Sequence, residues 1–281
     1  MLHTILIAIL ITSATTSCSN QQLNYERRDK QSDKIVEPTM IVINGTSKST
    51  LLESTLFLGY QGYSTHYIID TDGSIYETLN TQPRLVKEIN KKYLEQRARH
   101  IGHGYWKTDH LAITDINSHS IGLSFVNQDC DNTKTPHRFN VTLNQFNALT
   151  NICKQLKEAY SIEDKNIIGH HEITINKATK SLSPGSQFPW KLLAQENIGL
   201  YHNLTEEELC QTCNSSITSL QQSLLEWGYS VEVTEEEDEQ TVQALLQAQT
   251  HHDPEHIDGY LQSCRIPRII ANLQAHHRAK K

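Results

Sequence analysis

Basic residues are in the minority: 25 Lys and Arg stand against 32 Asp and Glu, a formal net charge of −7. Acidic runs such as Glu235, Glu236, Glu237 and Asp238 oppose the phosphate neutralisation that nucleic-acid binding needs, so nucleic acid is set aside as a partner. The one markedly apolar run near the N-terminus, residues 5–11, is too short to cross a bilayer, which takes about 20 residues. Cys210 and Cys213 form a Cys-x-x-Cys in a polar segment with no second copy, which gives little support to redox chemistry or half a zinc site; a disulfide from one of these to Cys264 is the simpler expectation. With 281 residues, 37% hydrophobic and 20% charged, the chain can bury a full core and has room for one medium domain and a small one.

Residues 1–18, MLHTILIAILITSATTSC, place an apolar run before small polar residues, the build of a secretory signal. The small residues before Cys18 resemble a bacterial lipoprotein cleavage box, in which that cysteine is lipidated and becomes N-terminal. The alternative is a signal cut elsewhere, with Cys18 discarded. Thr15 stands where an aliphatic residue is usual, and no Lys or Arg precedes the run. The expectation is an exported protein of the bacterial cell envelope, facing the periplasm and held to the membrane by a lipid anchor. Lipidation at Cys18 leaves Cys130, Cys153, Cys210, Cys213 and Cys264, an odd set in which at least one thiol is free or paired between chains.

Residues 19–38 are polar, without periodic apolar positions, and read as a tether. TMIVING at 39–45 suits a buried strand. HYIIDTDGSIYETL at 66–79 reads as two strands around an Asp-Gly turn, and SIGLSFVN at 120–127 as another strand. Thr142 and Gln145 form a capping-box pattern, followed by Phe146, Leu149, Cys153, Leu156 and Tyr160 at helical spacing and then by the strand-like NIIGH. Strands alternating with a helix predict a mixed α/β domain over 39–198. After a linker at 199–213, three amphipathic helices are expected in 214–281. The first carries Ile217, Leu220, Leu224 and Trp227 and is ended by Gly228. The second carries Val242, Leu245, Leu246 and Gln249, and the third Ile266, Ile269, Ile270 and Leu273. Such a bundle is large enough for a binding module and thin for an active site.

Five segments in order carry a resemblance: HYIIDTDGSIYETL, RARHIGHGYW (97–106), NSHSIGLSFVN (117–127), GHHEITINKATKSLSPGSQFPW with the following KLLAQENIGLY, and LLEWGY…TVQALLQAQ…IDGYL in the tail. Together they resemble the type 2 N-acetylmuramoyl-L-alanine amidases, in particular the lipoprotein branch with a C-terminal peptidoglycan-binding helical domain. The resemblance implies an α/β fold with a mixed central sheet flanked by helices and a small three-helix C-terminal domain. It also implies peptidoglycan as partner and a zinc ion that polarises the lactyl-amide carbonyl and activates water.

Carried over position by position, the same resemblance shows a damaged centre. Asn44 stands where the family's opening strand has its first histidine ligand. Ser124 stands where a glutamate shuttles the proton, and a hydroxyl does not replace a carboxylate base near neutral pH. His170 matches the second histidine, with His171 as the adjacent alternative. Ser183, before Pro184 and Gly185, takes the place of the third ligand, after a segment about three residues longer than in the family. Asn and Ser are weak, neutral ligands for zinc. The resemblance also marks His66, Arg97, His100, Trp106, Asn117 and Trp190 as groove-lining residues for peptidoglycan. The residues alone allow Trp106 and Trp190 to be core aromatics and His100 a satisfied buried histidine. The expectation is a peptidoglycan-binding protein with zinc hydrolysis lost and no cofactor. An active zinc amidase and a scaffold for a protein partner are the alternatives.

Overall fold

The computed structural model describes residues 38–46, 50–51, 54, 65–78, 83–94, 106–108, 112–126, 141–173, 182–202, 216–261 and 266–279. Cys18, nearly all of the tether, Arg97, His100, Cys130, Cys210, Cys213 and Cys264 lie outside these residues.

In chain order the described elements begin with β1 (Met40–Gly45), β2 (Tyr67–Ile69), β3 (Ile75–Glu77), β4 (Arg84–Val86) and α1 (Lys91–Leu94). They continue with β5 (Trp106–Lys107), β6 (Ala112–Ile113), α2 (Ile116–His119), β7 (Ser120–Phe125), α3 (Leu143–Tyr160), a 3₁₀ turn at Asp164–Asn166, β8 (Ile167–Gly169) and α4 (His170–Ile173). The last are α5 (Trp190–Gln195), α6 (Ile217–Trp227), α7 (Glu239–His252) and α8 (Ile266–Ala279). Six strands form one sheet in the order β4-β3-β2-β7-β1-β8, and β5 pairs with β6. β1 lies parallel to β7 and β8, and β2 parallel to β7. β2, β3 and β4 follow each other antiparallel, so the sheet is mixed.

Local chemistry accounts for the elements that position the site. β1 and β7 are near-continuous apolar runs, as parallel strands covered on both faces require, and β7 is buried along its whole length. The β2–β3 turn needs Gly73, whose φ is +87° and whose position would bring an added Cβ to 2.8 Å from the Asn144 carbonyl oxygen. α3 starts on the expected capping box: the Gln145 N–H donates to Thr142 Oγ1 at 3.1 Å and the Thr142 N–H to Gln145 Oε1 at 3.1 Å. α6 stops at Gly228, with φ 143°.

Strand alternation divides the core between the two faces of the sheet. Ile41, Ile43, Ile121, Leu123 and Phe125 face Leu149, Ile152, Cys153 and Leu156 of α3, together with Phe188, Trp190 and Leu193. Met40, Val42 and Ile168 face the opposite way, into one cluster with Leu220, Leu224, Trp227, Leu245, Ile269 and Leu273 of the three C-terminal helices. The tail thus covers the second face of the sheet. Each fully buried large side chain there contributes roughly 1.5–3 kcal/mol of transfer free energy.

Candidate functional site

The C-terminal ends of parallel strands are where open α/β sheets place their sites. Here the register brings the expected positions to that edge. Asn44, next to last in β1, pairs with Ser124 of β7, and Ile43 pairs with Gly169, the last residue of β8, so His170 follows at the next rung. The 183–185 turn closes on the same edge. The Ser183 hydroxyl donates to the Asn44 carboxamide oxygen, the Gly45 N–H donates to Ser183 Oγ at 2.7 Å, and the Ser183–Pro184 peptide is cis. The His171 N–H and Nδ1–H both donate to the Ser183 carbonyl, at 2.8 and 3.0 Å. Gly169 allows the His171 ring to fold back on the strand end, since a Cβ there would lie 2.4 Å from two ring atoms. The Ser124 hydroxyl is buried without a hydrogen-bond partner.

Zinc is held by imidazole, thiolate and carboxylate groups. This edge offers a carboxamide and a hydroxyl that satisfy one another, a second hydroxyl, and the imidazole of His170. Among the described residues no group of three His, Cys, Asp or Glu side chains is arranged to hold a metal ion. The donors that the described residues offer at this edge do not fit zinc. Burial pushes the His171 imidazole below its ordinary range, against the neighbouring Glu172 carboxylate and the bond to Ser183, which favour the protonated ring.

Beneath this edge lies a group that the sequence did not single out, Glu172 of α4. Its carboxylate is fully buried and accepts from the Gly169 N–H at 2.7 Å, the Tyr229 hydroxyl at 2.9 Å and His251 Nδ1 at 3.1 Å. Burial alone would raise its pKa; the His251 charge and these hydrogen bonds outweigh that and hold it below the usual carboxylate value. The same environment, burial first and then Glu172, pushes the Tyr229 hydroxyl well above its ordinary value. Gln247 adds bonds from its amide to the His171 and Glu172 carbonyls, at 2.8 and 3.1 Å. Tyr229, Gln247 and His251 all belong to the tail, which therefore grips the four-residue helix carrying His170. The adjacent His-His-Glu was the only local signal.

Three of the expected groove residues are not groove residues. Trp106 is fully buried in the second-face core, edge-on to Tyr229 at 5.5 Å, with its Nε1–H donating to Asn166 Oδ1 at 3.3 Å. Trp190, 3% exposed, packs on Phe188 at 4.5 Å and stacks on His251 at 4.2 Å. His66 is 1% exposed, and its Nδ1 accepts from the Gly122 N–H at 3.0 Å. Each is held by the protein itself and presents no face to a ligand. Asn117 is half-buried on α2, while Arg97 and His100 fall outside the described residues.

Fold and strand-end geometry define a type 2 amidase architecture, and comparison with known sequences agrees. The profile of the N-acetylmuramoyl-L-alanine amidase family matches residues 7–186, well over half of the chain, and the protein belongs to that family. A Rickettsia conorii protein carrying the name of an N-acetylmuramoyl-L-alanine amidase is 28% identical over 219 residues, 75% of this chain and 73% of that one. Escherichia coli N-acetylmuramoyl-L-alanine amidase AmiD is 26% identical over 204 residues, 70% of this chain and 68% of its own. Among solved structures, AmpDh3 from Pseudomonas aeruginosa superposes with a TM-score of 0.65 at 21% identity, covering 91% of this chain and 98% of that one. AmiD in complex with anhydro-N-acetylmuramic acid-L-Ala-D-γ-Glu-L-Lys gives 0.63 at 20% identity, covering 89% and 93%. These likenesses establish the fold: a mixed sheet with flanking helices.

Proposed function

We propose that this protein is an exported, lipid-anchored member of the amidase family that binds peptidoglycan and has lost zinc-dependent hydrolysis. The observation that carries the reading is the bond between the Ser183 hydroxyl and the Asn44 carboxamide at the end of β1, with Ser124 paired beside Asn44 on β7. Two of the family's ligand positions hold each other, and the proton-shuttling position holds a hydroxyl. Hydrolysis of the amide between muramic acid and L-alanine needs a polarised carbonyl, an activated water and a proton carrier. Asn44, Ser183 and Ser124 supply none of these.

Binding is the part of the family's chemistry that remains. Peptidoglycan supplies peptide carboxylates for Arg97 and polar groups for His100 and Asn117, and the tail with its IDGYL segment supplies the second contact. A lipid at Cys18 and the polar tether would hold the protein beside the wall and raise the effective concentration for a weak binder. Relatives support the ligand class: the AmiD structure contains an anhydromuramic peptide substrate, and an AmpDh3 structure contains an anhydromuramic pentapeptide.

The retained His170 at the end of β8 favours a second reading, an active amidase with a rearranged centre. Metal analysis of the purified full chain, paired with a muropeptide digest, separates the two. We expect less than stoichiometric zinc and no release of stem peptide. One zinc per chain, lost in His170→Ala and accompanied by free stem peptide, would establish the second reading in place of the first.

A further inference from the structure

Where the tail meets the sheet, histidines gather in a dry interface. His251 faces acceptors on both ring nitrogens: Nδ1–H donates to Glu172 Oε2 at 3.1 Å and Nε2–H to the Leu200 carbonyl at 3.1 Å. A carboxylate and a carbonyl only accept, so both ring nitrogens of His251 point at acceptors. Its ring lies between two flat neighbours, the indole of Trp190 at 4.2 Å and the imidazole of His252 at 4.4 Å, with interplanar angles of 20° and 16°.

His252 is the unexplained member. It is 1% exposed, and neither of its nitrogens has a hydrogen-bond partner. Trp227 of α6 meets it edge-on at 4.9 Å, and Tyr201 lies 6.3 Å away. A phenyl ring would fill this space without stranding two polar atoms, so packing alone does not call for a histidine.

Among the described residues, the charges that act on its ring are those of His251, His202 and His171, all of which oppose a proton on it. On its own helix stand His251 and, one residue on, Asp253, whose carboxylate pairs with His256 at 3.2 Å. From α4 comes His171, and from the segment after Ile198 come Tyr201 and His202. α8 contributes Arg268, a positive charge beside Tyr201. The Glu172 carboxylate is engaged by Gly169, Tyr229 and His251.

We propose that His252 is an acid-sensitive latch between the helical tail and the sheet: neutral, it lets the end of α7 close on Tyr201 and His202, and a proton on it drives that contact apart, loosening the tail's grip on His170–Ile173. Burial first, then the charges of His251, His202 and His171, hold the imidazole well below its ordinary value. The sign follows from proton counting. Above about pH 6.5, the ordinary imidazole value, His252 is neutral open or closed and contributes no pH dependence. Below it the open chain takes up a proton that the closed one refuses, so the closed state loses stability as pH falls.

The test is denaturant unfolding of the full chain between about pH 8 and pH 5.5, the range in which histidines titrate, for wild type and His252→Phe. The other histidines titrate in both proteins, so the difference isolates this one. The wild-type midpoint should fall more steeply with acid than that of the variant. Parallel falls would overturn the proposal. NMR titration of the wild-type histidines gives a second reading and decides alone should the Phe variant not fold. The His252 ring should stay neutral while exposed histidines titrate and the fold persists; a His252 that titrates at the ordinary value inside an intact fold would overturn the latch.

Discussion

Asn44, Ser124 and Ser183 each sit inside a strand or turn whose neighbours resemble the family in order, and register brings Asn44 and Ser124 side by side. The structure adds that Ser183, though 139 positions from Asn44, reaches it across the strand end. Exchanging all three, Asn44→His, Ser124→Glu and Ser183→Asp, should restore zinc uptake toward one ion per chain by elemental analysis. A folded triple variant that takes up none would mean that the turn before Pro184 no longer presents its side chain as a ligand. What the residues alone could not convey was burial. His66, Trp106 and Trp190 match groove residues by motif, yet their surroundings are assembled from distant segments, as with the Asn166 side chain that meets Trp106 from 60 positions away. Glu172 escaped for the same reason, its partners Tyr229 and His251 lying 57 and 79 positions downstream. Removing one member of a buried, hydrogen-bonded pair leaves the other uncompensated, at roughly 3–5 kcal/mol, so Glu172→Gln or His251→Phe should lower unfolding free energy by about that much. Tyr229→Phe deletes only a hydroxyl bonded to a charged group and should cost about 1.5–3 kcal/mol. Equal, small losses in all three would contradict the ion pair.

Elements with strong periodicity or explicit end signals were readable, and short ones were not. α3 begins where Thr142 and Gln145 predict, and all three tail helices appear where their apolar faces recur. β4, β5, β6, α1 and α2 are two to four residues long, too short for an alternating or helical pattern to declare itself. Thr142 has a second task, since its hydroxyl also donates to the Thr71 carbonyl at 2.9 Å and so ties the start of α3 to the β2–β3 turn. Thr142→Ala removes both bonds and should cost about 1–2 kcal/mol in chemical denaturation, while Thr142→Ser, which keeps the hydroxyl, should retain most of that. A Ser variant as damaged as the Ala variant would place the effect in the lost methyl group.

At the scale of the whole molecule, the helical tail packs against the sheet. Met40, Val42 and Ile168 of the sheet share one apolar cluster with the tail helices, and Tyr229 and His251 of that tail bond the Glu172 carboxylate. Unfolding of the full chain should therefore follow one transition, with tryptophan fluorescence and far-ultraviolet circular dichroism coinciding; two separated transitions would make the tail an independent unit. Because the tail holds His170–Ile173, the strand-end edge and the helices that support it pack together. The decisive measurement is sedimentation of the full-length wild-type protein with insoluble peptidoglycan, with the supernatant analysed for released fragments. The protein should pellet with the wall at low salt and release neither muramic-acid glycan nor free stem peptide. Folded protein that stays in the supernatant, or stem peptide accumulating with time, would contradict a peptidoglycan binder without amidase activity.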